Sequence, residues 1–259
     1  MLALLVGYGS WGRRVAAKLD AVPGVRVSGV HDPLVRDPRV DVQNVAGFVN
    51  VMEPGLCVVA TPPAEHVRVV SEVLGAGFRG VLRVEKPCGG SVEDAVEIQR
   101  LCNLRGVRLD VGYTLLDSEW FRRVEAWVYD RRARVLCVRA QRWSMGRARH
   151  DVSARVDLGS HVAAVAESLG AARLLLDARH GASSNQRVTW IETTLGTVRV
   201  AEVGMGAVIE WPDGRTETVL QDDALAASLQ RLPGETLGDP VAVWRMLDAA
   251  EAWEADCAA

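Results

Sequence analysis

Through its first 113 residues the chain alternates short apolar runs with stretches whose apolar positions recur at helical spacing. Leu2–Val6, Val25–Val30, Leu56–Ala60, Gly80–Val84 and Val107–Val111 read as strands, and Gly12–Leu19, Ala64–Leu74 and Val92–Asn103 as helices between them. Strands joined through helices of this length make βαβ crossovers, which implies a parallel sheet covered on both faces. The pattern therefore predicts an α/β domain of the doubly wound Rossmann kind over residues 1–113. After about Tyr113 the rhythm changes. Arg134–Arg142, Arg173–His180, Arg187–Thr193, Thr197–Val203, Ala207–Trp211 and Thr216–Leu220 are strand candidates that follow one another without helices between them, apart from one helix at about Leu158–Leu169. Gly196, Gly204–Gly206 and Asp213–Gly214 mark turns, the last a hairpin signal. Residues 114–259 are expected to form a second, α+β domain with a mostly antiparallel sheet. A closing helix over Pro240–Glu254 is expected, with the option of packing back on the first domain.

Composition narrows the partner more than the fold. A chain of 259 residues with 49% hydrophobic content can bury a large core, and its length suits two modest domains. A net charge of -3 leaves no basic field for displacing counterions from nucleic acid, so the expected partner is a small molecule. No apolar run reaches membrane-spanning length, and the start MLALLVGYGS reads as a first strand and not as a signal peptide. Cys57, Cys88, Cys102, Cys137 and Cys257 show no metal spacing and make a poor disulfide framework. A reducing cytoplasm and no metal are expected. Trp120, Trp127, Trp143, Trp190, Trp211, Trp244 and Trp253 are too dispersed for a stacking platform and read as core or interface residues.

The candidate chemistry begins at Gly7-Tyr8-Gly9-Ser10-Trp11-Gly12, a G-x-G-x-x-G that follows an apolar strand and opens a helix. The first glycine permits a tight turn, the second lets backbone approach a pyrophosphate, and the third lets helix and strand pack closely. The anion would then sit at the positive end of the helix dipole. Asp32, at the end of the second strand, is placed to accept from ribose hydroxyls and to repel a 2′-phosphate, which favours NAD; Arg36 nearby keeps NADP as the alternative. Asp32-Pro33 is also an ordinary turn opening. Thr61 and Pro62, where a buried strand runs into a helix, would border the cofactor, and His66 either touches it or packs locally.

Lys18 and Lys86 are the only lysines among 30 cationic residues. Lysine, unlike arginine, can be tuned to exchange a proton, and Lys86 ends a strand at the carboxyl edge where a nicotinamide would lie. Glu85 would orient it. In the second half, Asp157 and His161 stand four residues apart, on one face of a helix. They suit proton transfer at a substrate hydroxyl, or equally a helix N-terminus followed by a core histidine.

The glycine fingerprint, Ala60-Thr61-Pro62-Pro63, Glu85-Lys86-Pro87 and Asp157-x-Gly159-x-His161 occur in an order that resembles the glucose-fructose oxidoreductase/inositol dehydrogenase/rhizopine catabolism (Gfo/Idh/MocA) family, over residues 1 to about 165. The resemblance implies a Rossmann domain paired with an open-sheet domain, and an active site of Lys86, Asp157 and His161. Val111–Leu116 and Gly146–Val152 resemble the family's sugar-nucleotide 3-dehydrogenase branch, which makes Tyr113, Arg147 and Arg149 candidate substrate contacts, the arginines for a diphosphate or as plain surface residues. Two departures stand out: Ala164 where many members carry an acid, and a short C-terminal domain. The expected activity is hydride transfer between nicotinamide and a secondary alcohol or ketone of a sugar or sugar nucleotide. Imine or carbonyl reduction and a non-catalytic NAD(P)-sensing role remain as alternatives. By the same resemblance, a homodimer or homotetramer is expected.

Overall fold

The computed structural model describes residues 1–146, 150–220, 223–232 and 237–252. The chain divides into two compact units, one of Met1–Gly112 with Leu225–Val241, the other of Tyr113–Ala224 with the chain from Ala242 onward.

The first unit is built on a five-stranded sheet in the order β2-β1-β3-β4-β5, parallel throughout. Its strands are β1 (Leu2–Val6), β2 (Arg26–His31), β3 (Leu56–Val59), β4 (Val81–Val84) and β5 (Arg108–Val111). β3 is buried end to end and β1 everywhere but at Leu2, as both-face burial requires. Helices α1 (Ser10–Leu19), α2 (Val45–Met52), α3 (His66–Gly75) and α4 (Val92–Arg105) make the crossovers. The sequence pattern missed α2. Its Val-Ala-Gly-Phe-Val-Asn-Val-Met run is nearly continuous in apolar residues, and the Asn44 side chain starts it by accepting from the Gly47 N–H at 2.8 Å. One further helix, α7 (Ala224–Arg231), was also not foreseen: Leu225, Leu229 and Leu232 join Ala3, Leu5, Val15, Val30 and Val58 in one apolar cluster.

The second unit carries a seven-stranded sheet in the order β11-β10-β9-β8-β6-β7-β12. Its strands are β6 (Val135–Ser144), β7 (Leu174–His180), β8 (Gln186–Thr193), β9 (Gly196–Val203), β10 (Gly206–Glu210), β11 (Thr216–Leu220) and β12 (Glu251–Ala252). The run from β8 to β11 is the antiparallel meander expected. β6 and β7 instead lie parallel, joined through α6 (Ala154–Ser168), and β12 runs parallel to β7. The closing helix, α8, spans Pro240–Asp248, shorter than expected because the chain turns into β12; Trp253 and Glu254 lie outside the described residues. Helix α5 (Glu119–Asp130) was missed although its signal is plain: Ser118 caps it, and Trp120, Val124 and Trp127 recur at helical spacing and are buried. Trp211 and Trp244 are buried as well, while Trp143 and Trp190 are half-buried.

Candidate active site

In the first unit the glycine loop leaves β1 and enters α1. Gly7 has a φ of +98°, and a Cβ there would stand 2.6–2.7 Å from the backbone of Ala60 and Thr61, so the turn presses against the neighbouring strand end. A Cβ on Gly12 would come 2.1 Å from the Gly7 carbonyl oxygen, which is why helix and turn can touch there. Gly9 is different, because a Cβ on it would meet nothing within 4 Å. That open side, at an exposed helix N-terminus with no side-chain cap, fits a pyrophosphate approaching backbone N–H groups. Ser10 and Trp11 are exposed beside it, whereas Tyr8 is buried under the Arg13 guanidinium, 4.6 Å from the ring centre.

Asp32 ties this loop to the end of β2. Its Oδ2 accepts from the Tyr8 N–H at 2.7 Å, and its Oδ1 from the N–H groups of Leu34 and Val35 at 2.9 and 3.1 Å. A carboxylate offers about four acceptor positions, so Asp32 keeps capacity for one hydroxyl on Oδ2. The neighbouring cations are engaged: Arg13 pairs with Asp37 at 2.5 Å and Arg39 with Asp20 at 3.0 and 3.2 Å. The Arg39 backbone N–H and the Arg13 guanidinium hold the Asp37 carboxyl below its ordinary range. Arg36 is exposed.

The other segments of this unit line up on the carboxyl edge of the sheet, where Val59 and Val84 are partners in register. Thr61 follows β3, and its buried Oγ1 has no hydrogen-bond partner among the described residues, as expected of a group awaiting a ligand. Pro62 is exposed. His66 is 1% exposed, and both ring nitrogens meet backbone: Nδ1 accepts from the Gly89 N–H at 3.3 Å, so Nε2 carries the proton and donates to the Thr61 carbonyl at 2.9 Å. It thereby ties the Thr61 turn to the loop that follows Lys86. Glu85 is buried against Gly112, where a Cβ would stand 2.6 Å from its carboxylate. Lys86 is half-buried, and the Lys86–Pro87 bond is cis.

A group that sequence reasoning missed lies beneath Glu85. Arg83, 0% exposed, donates to Asp110 at 2.7 Å and to the Ser228 hydroxyl at 2.7 Å, and reaches Glu85 at 3.4 Å; Arg231 takes the other Asp110 oxygen at 3.1 Å. These bonds set the Arg83 and Arg231 guanidinium groups against the Asp110 and Glu85 carboxylates, the pairing that burial of charge requires. The signal was one charge inside each of two apolar strands, Val-Leu-Arg-Val and Leu-Asp-Val.

In the second unit Ser153 caps α6 by accepting from the Val156 N–H at 3.3 Å, which puts Asp157 in the first turn and His161 one turn on. Gly159 between them lets the helix settle on β7, since a Cβ there would stand 2.3 Å from Leu176 Cδ2. Asp157 lies 3.4 Å from His180 Nε2, at the end of β7. His161 is half-buried, and Ala164 is fully buried. Tyr113 is 2% exposed and precedes a short 3-10 turn, while Arg147 and Arg149 lie outside the described residues. Among the described residues no group of three His, Cys, Asp or Glu side chains could hold a metal, and no helix is long and apolar enough to cross a membrane.

A model of an oxidoreductase family with an NAD-binding Rossmann fold matches residues 1–113. No curated protein matches the chain in sequence. Solved structures share the fold over nearly its whole length. KijD10, a 3-ketoreductase from Actinomadura kijaniata in complex with TDP-benzene and NADP, aligns with a TM-score of 0.76 at 15% identity, covering 96% of each chain. The scyllo-inositol dehydrogenase of Lactobacillus casei, with NAD(H) and scyllo-inositol, gives 0.73 at 14% identity, covering 96% of this chain and 95% of that one. GnnA, a UDP-N-acetylglucosamine 3-dehydrogenase from Acidithiobacillus ferrooxidans, gives 0.63 at 19%, with the same coverages.

Proposed function

We propose that the protein is a member of the Gfo/Idh/MocA oxidoreductases, whose NAD-binding Rossmann model matches residues 1–113, and that it transfers hydride between nicotinamide and a secondary alcohol or ketone carbon of a sugar or sugar nucleotide. The observation that carries the reading is the cradle open at Gly9, on the same sheet edge as Lys86. Bound NAD(P) supplies the hydride acceptor or donor. The N–H groups at the start of α1 hold its pyrophosphate, and Thr61 Oγ1 is a free contact at the edge of β3. Asp32 offers its remaining acceptor position to a ribose hydroxyl and repels a phosphate there, which favours NAD over NADP. His66 acts from below by tying the Thr61 turn to the loop after Lys86, and the buried Glu85 precedes Lys86 to orient it.

For the substrate, Lys86 holds or moves the proton of the reacting hydroxyl, with His161 sharing that proton and Asp157 orienting the sugar or the imidazole. Tyr113, Arg147 and Arg149 complete the substrate side, the arginines matching a diphosphate. The UDP-N-acetylglucosamine of GnnA, the scyllo-inositol of the inositol dehydrogenase and the TDP-linked ligand of the ketoreductase KijD10 support the sugar class. The domain boundary at residue 113 belongs to the same reading, to be checked by limited proteolysis. So does a cytoplasmic homodimer or homotetramer, to be checked by light scattering.

The test is nicotinamide absorbance of the purified chain with NAD, NADP and their reduced forms, across nucleotide sugars, ketosugars, inositols and cyclic imines. Lys86→Ala should lose at least about 100-fold in turnover, the scale of one general acid–base group, and still bind cofactor. Undiminished turnover would remove Lys86 from the mechanism, and turnover of imines alone would replace the sugar reading.

A further inference from the structure

His180 belongs to none of the motifs in the chain, yet it ends β7 beside Asp157 with its side chain 9% exposed. Both of its ring nitrogens are buried without a hydrogen-bond partner among the described residues, and Nε2 lies 3.4 Å from Asp157 Oδ2. An apolar side chain would fill the same place without burying two polar atoms that need partners. Buried polar atoms left so in a native fold are commonly completed by a bound group. The location is suited to one. β6, α6 and β7 form a parallel crossover, His180 is the register partner of Ser144 at the carboxyl ends of both strands, and Asp157 stands in the first turn of the helix between them. In parallel units that edge is where ligands bind.

We propose that His180 is a positioning residue for Asp157 and a specificity residue for a vicinal hydroxyl of the substrate. An ionised carboxylate only accepts, so the nitrogen facing Asp157 carries the proton. Nδ1 of the neutral ring is then an acceptor. The ligand group it takes must donate, and on a sugar that is the hydroxyl next to the carbon being oxidised. This rests on the sugar reading of the site, and it adds to it a preference for substrates with a free hydroxyl beside the reacting carbon.

The experiment compares the full-length protein with His180→Phe and His180→Gln on the best substrate found and on its analogue lacking the neighbouring hydroxyl, with 15N-histidine NMR of the ligand-free protein at pH 8. The expected results are a single Nε2–H tautomer for His180 that becomes mixed in Asp157→Asn. His180→Phe should lose roughly 10-fold more in kcat/KM on the substrate than on the deoxy analogue, the scale of one buried hydrogen bond, with unchanged NADH affinity; the smaller loss shared by both reports the positioning of Asp157. His180→Gln, which keeps an acceptor, should recover most of it. An Nδ1–H tautomer, or equal losses on substrate and analogue, overturns the proposal while leaving the sugar reading intact. Absence of wild-type turnover on every hydroxylated substrate overturns the sugar reading instead, and the specificity role falls with it, whereas the tautomer result reports separately on the link to Asp157. Should His180→Phe fail to fold, the Gln variant and the tautomer signature decide.

Discussion

Replacing Arg83 by Met removes a cation that touches Asp110, Ser228 and Glu85 together, at 2.7, 2.7 and 3.4 Å, from a position with no solvent access. Met has a similar reach and no charge, so the loss is electrostatic more than steric. Arg231 still pairs with Asp110 at 3.1 Å, but Glu85 loses the cation beneath it. Breaking a buried pair from one side costs about 3–5 kcal/mol. That is a large share of a total stability of about 5–15 kcal/mol. At about 2–4 °C per kcal/mol for a chain of this size, Arg83→Met should lower Tm by roughly 10 °C. Calorimetry or far-UV circular dichroism reads it. Ser228→Ala, which removes a single neutral partner, should cost only about 1 kcal/mol. Adding Asp110→Asn to Arg83→Met should cost less than the two changes summed, by at least about 0.5 kcal/mol, because the charged bond between the two side chains is lost only once. A Tm for Arg83→Met within about 2 °C of the parent, or strict additivity in the cycle, would refute the view that these charges are held as one buried unit.

Three further outcomes are expected. Gly12→Ala places a methyl 2.1 Å from the Gly7 carbonyl, which backbone cannot easily yield, so it should cost about 1–3 kcal/mol in denaturant unfolding and weaken NADH binding, read by nicotinamide fluorescence. Asp32→Ala should reduce the preference for NADH over NADPH by about 10-fold in Kd, the worth of one charge-assisted hydrogen bond together with relieved repulsion; unchanged selectivity would take Asp32 out of cofactor choice. A Cys257→Ser background leaves Cys57, Cys88, Cys102 and Cys137, all of them buried. Burial pushes the thiols of Cys57 and Cys88 far up and that of Cys102 up to about 12, so almost no thiolate exists at pH 8, and a disulfide reagent should modify these three only at the rate of unfolding.

The Rossmann half was largely legible in the sequence because its signals are local. A strand of Leu2–Val6, a glycine turn and a helix are adjacent in the chain, and the physics that makes each of them acts over a few residues. The same holds for Asp157 and His161, whose common face follows from helical spacing alone. Helix α5 was legible too, through Ser118 and the spacing of Trp120, Val124 and Trp127, but its tryptophans were weighed as dispersed residues and not as one face.

What the sequence by itself determined is which segments become strands, helices and turns, and which residue types stand at their ends, since backbone preference and apolar periodicity are properties of neighbours. Only the tertiary structure decided that β6 and β7 run parallel, that Ser228 and Arg231 come back to Arg83 and Asp110, and that His180 stands against Asp157. Those pairs are separated by tens to more than a hundred residues. Their partners are chosen by burial, where a charge or an imidazole removed from water must meet its complement wherever the fold brings one.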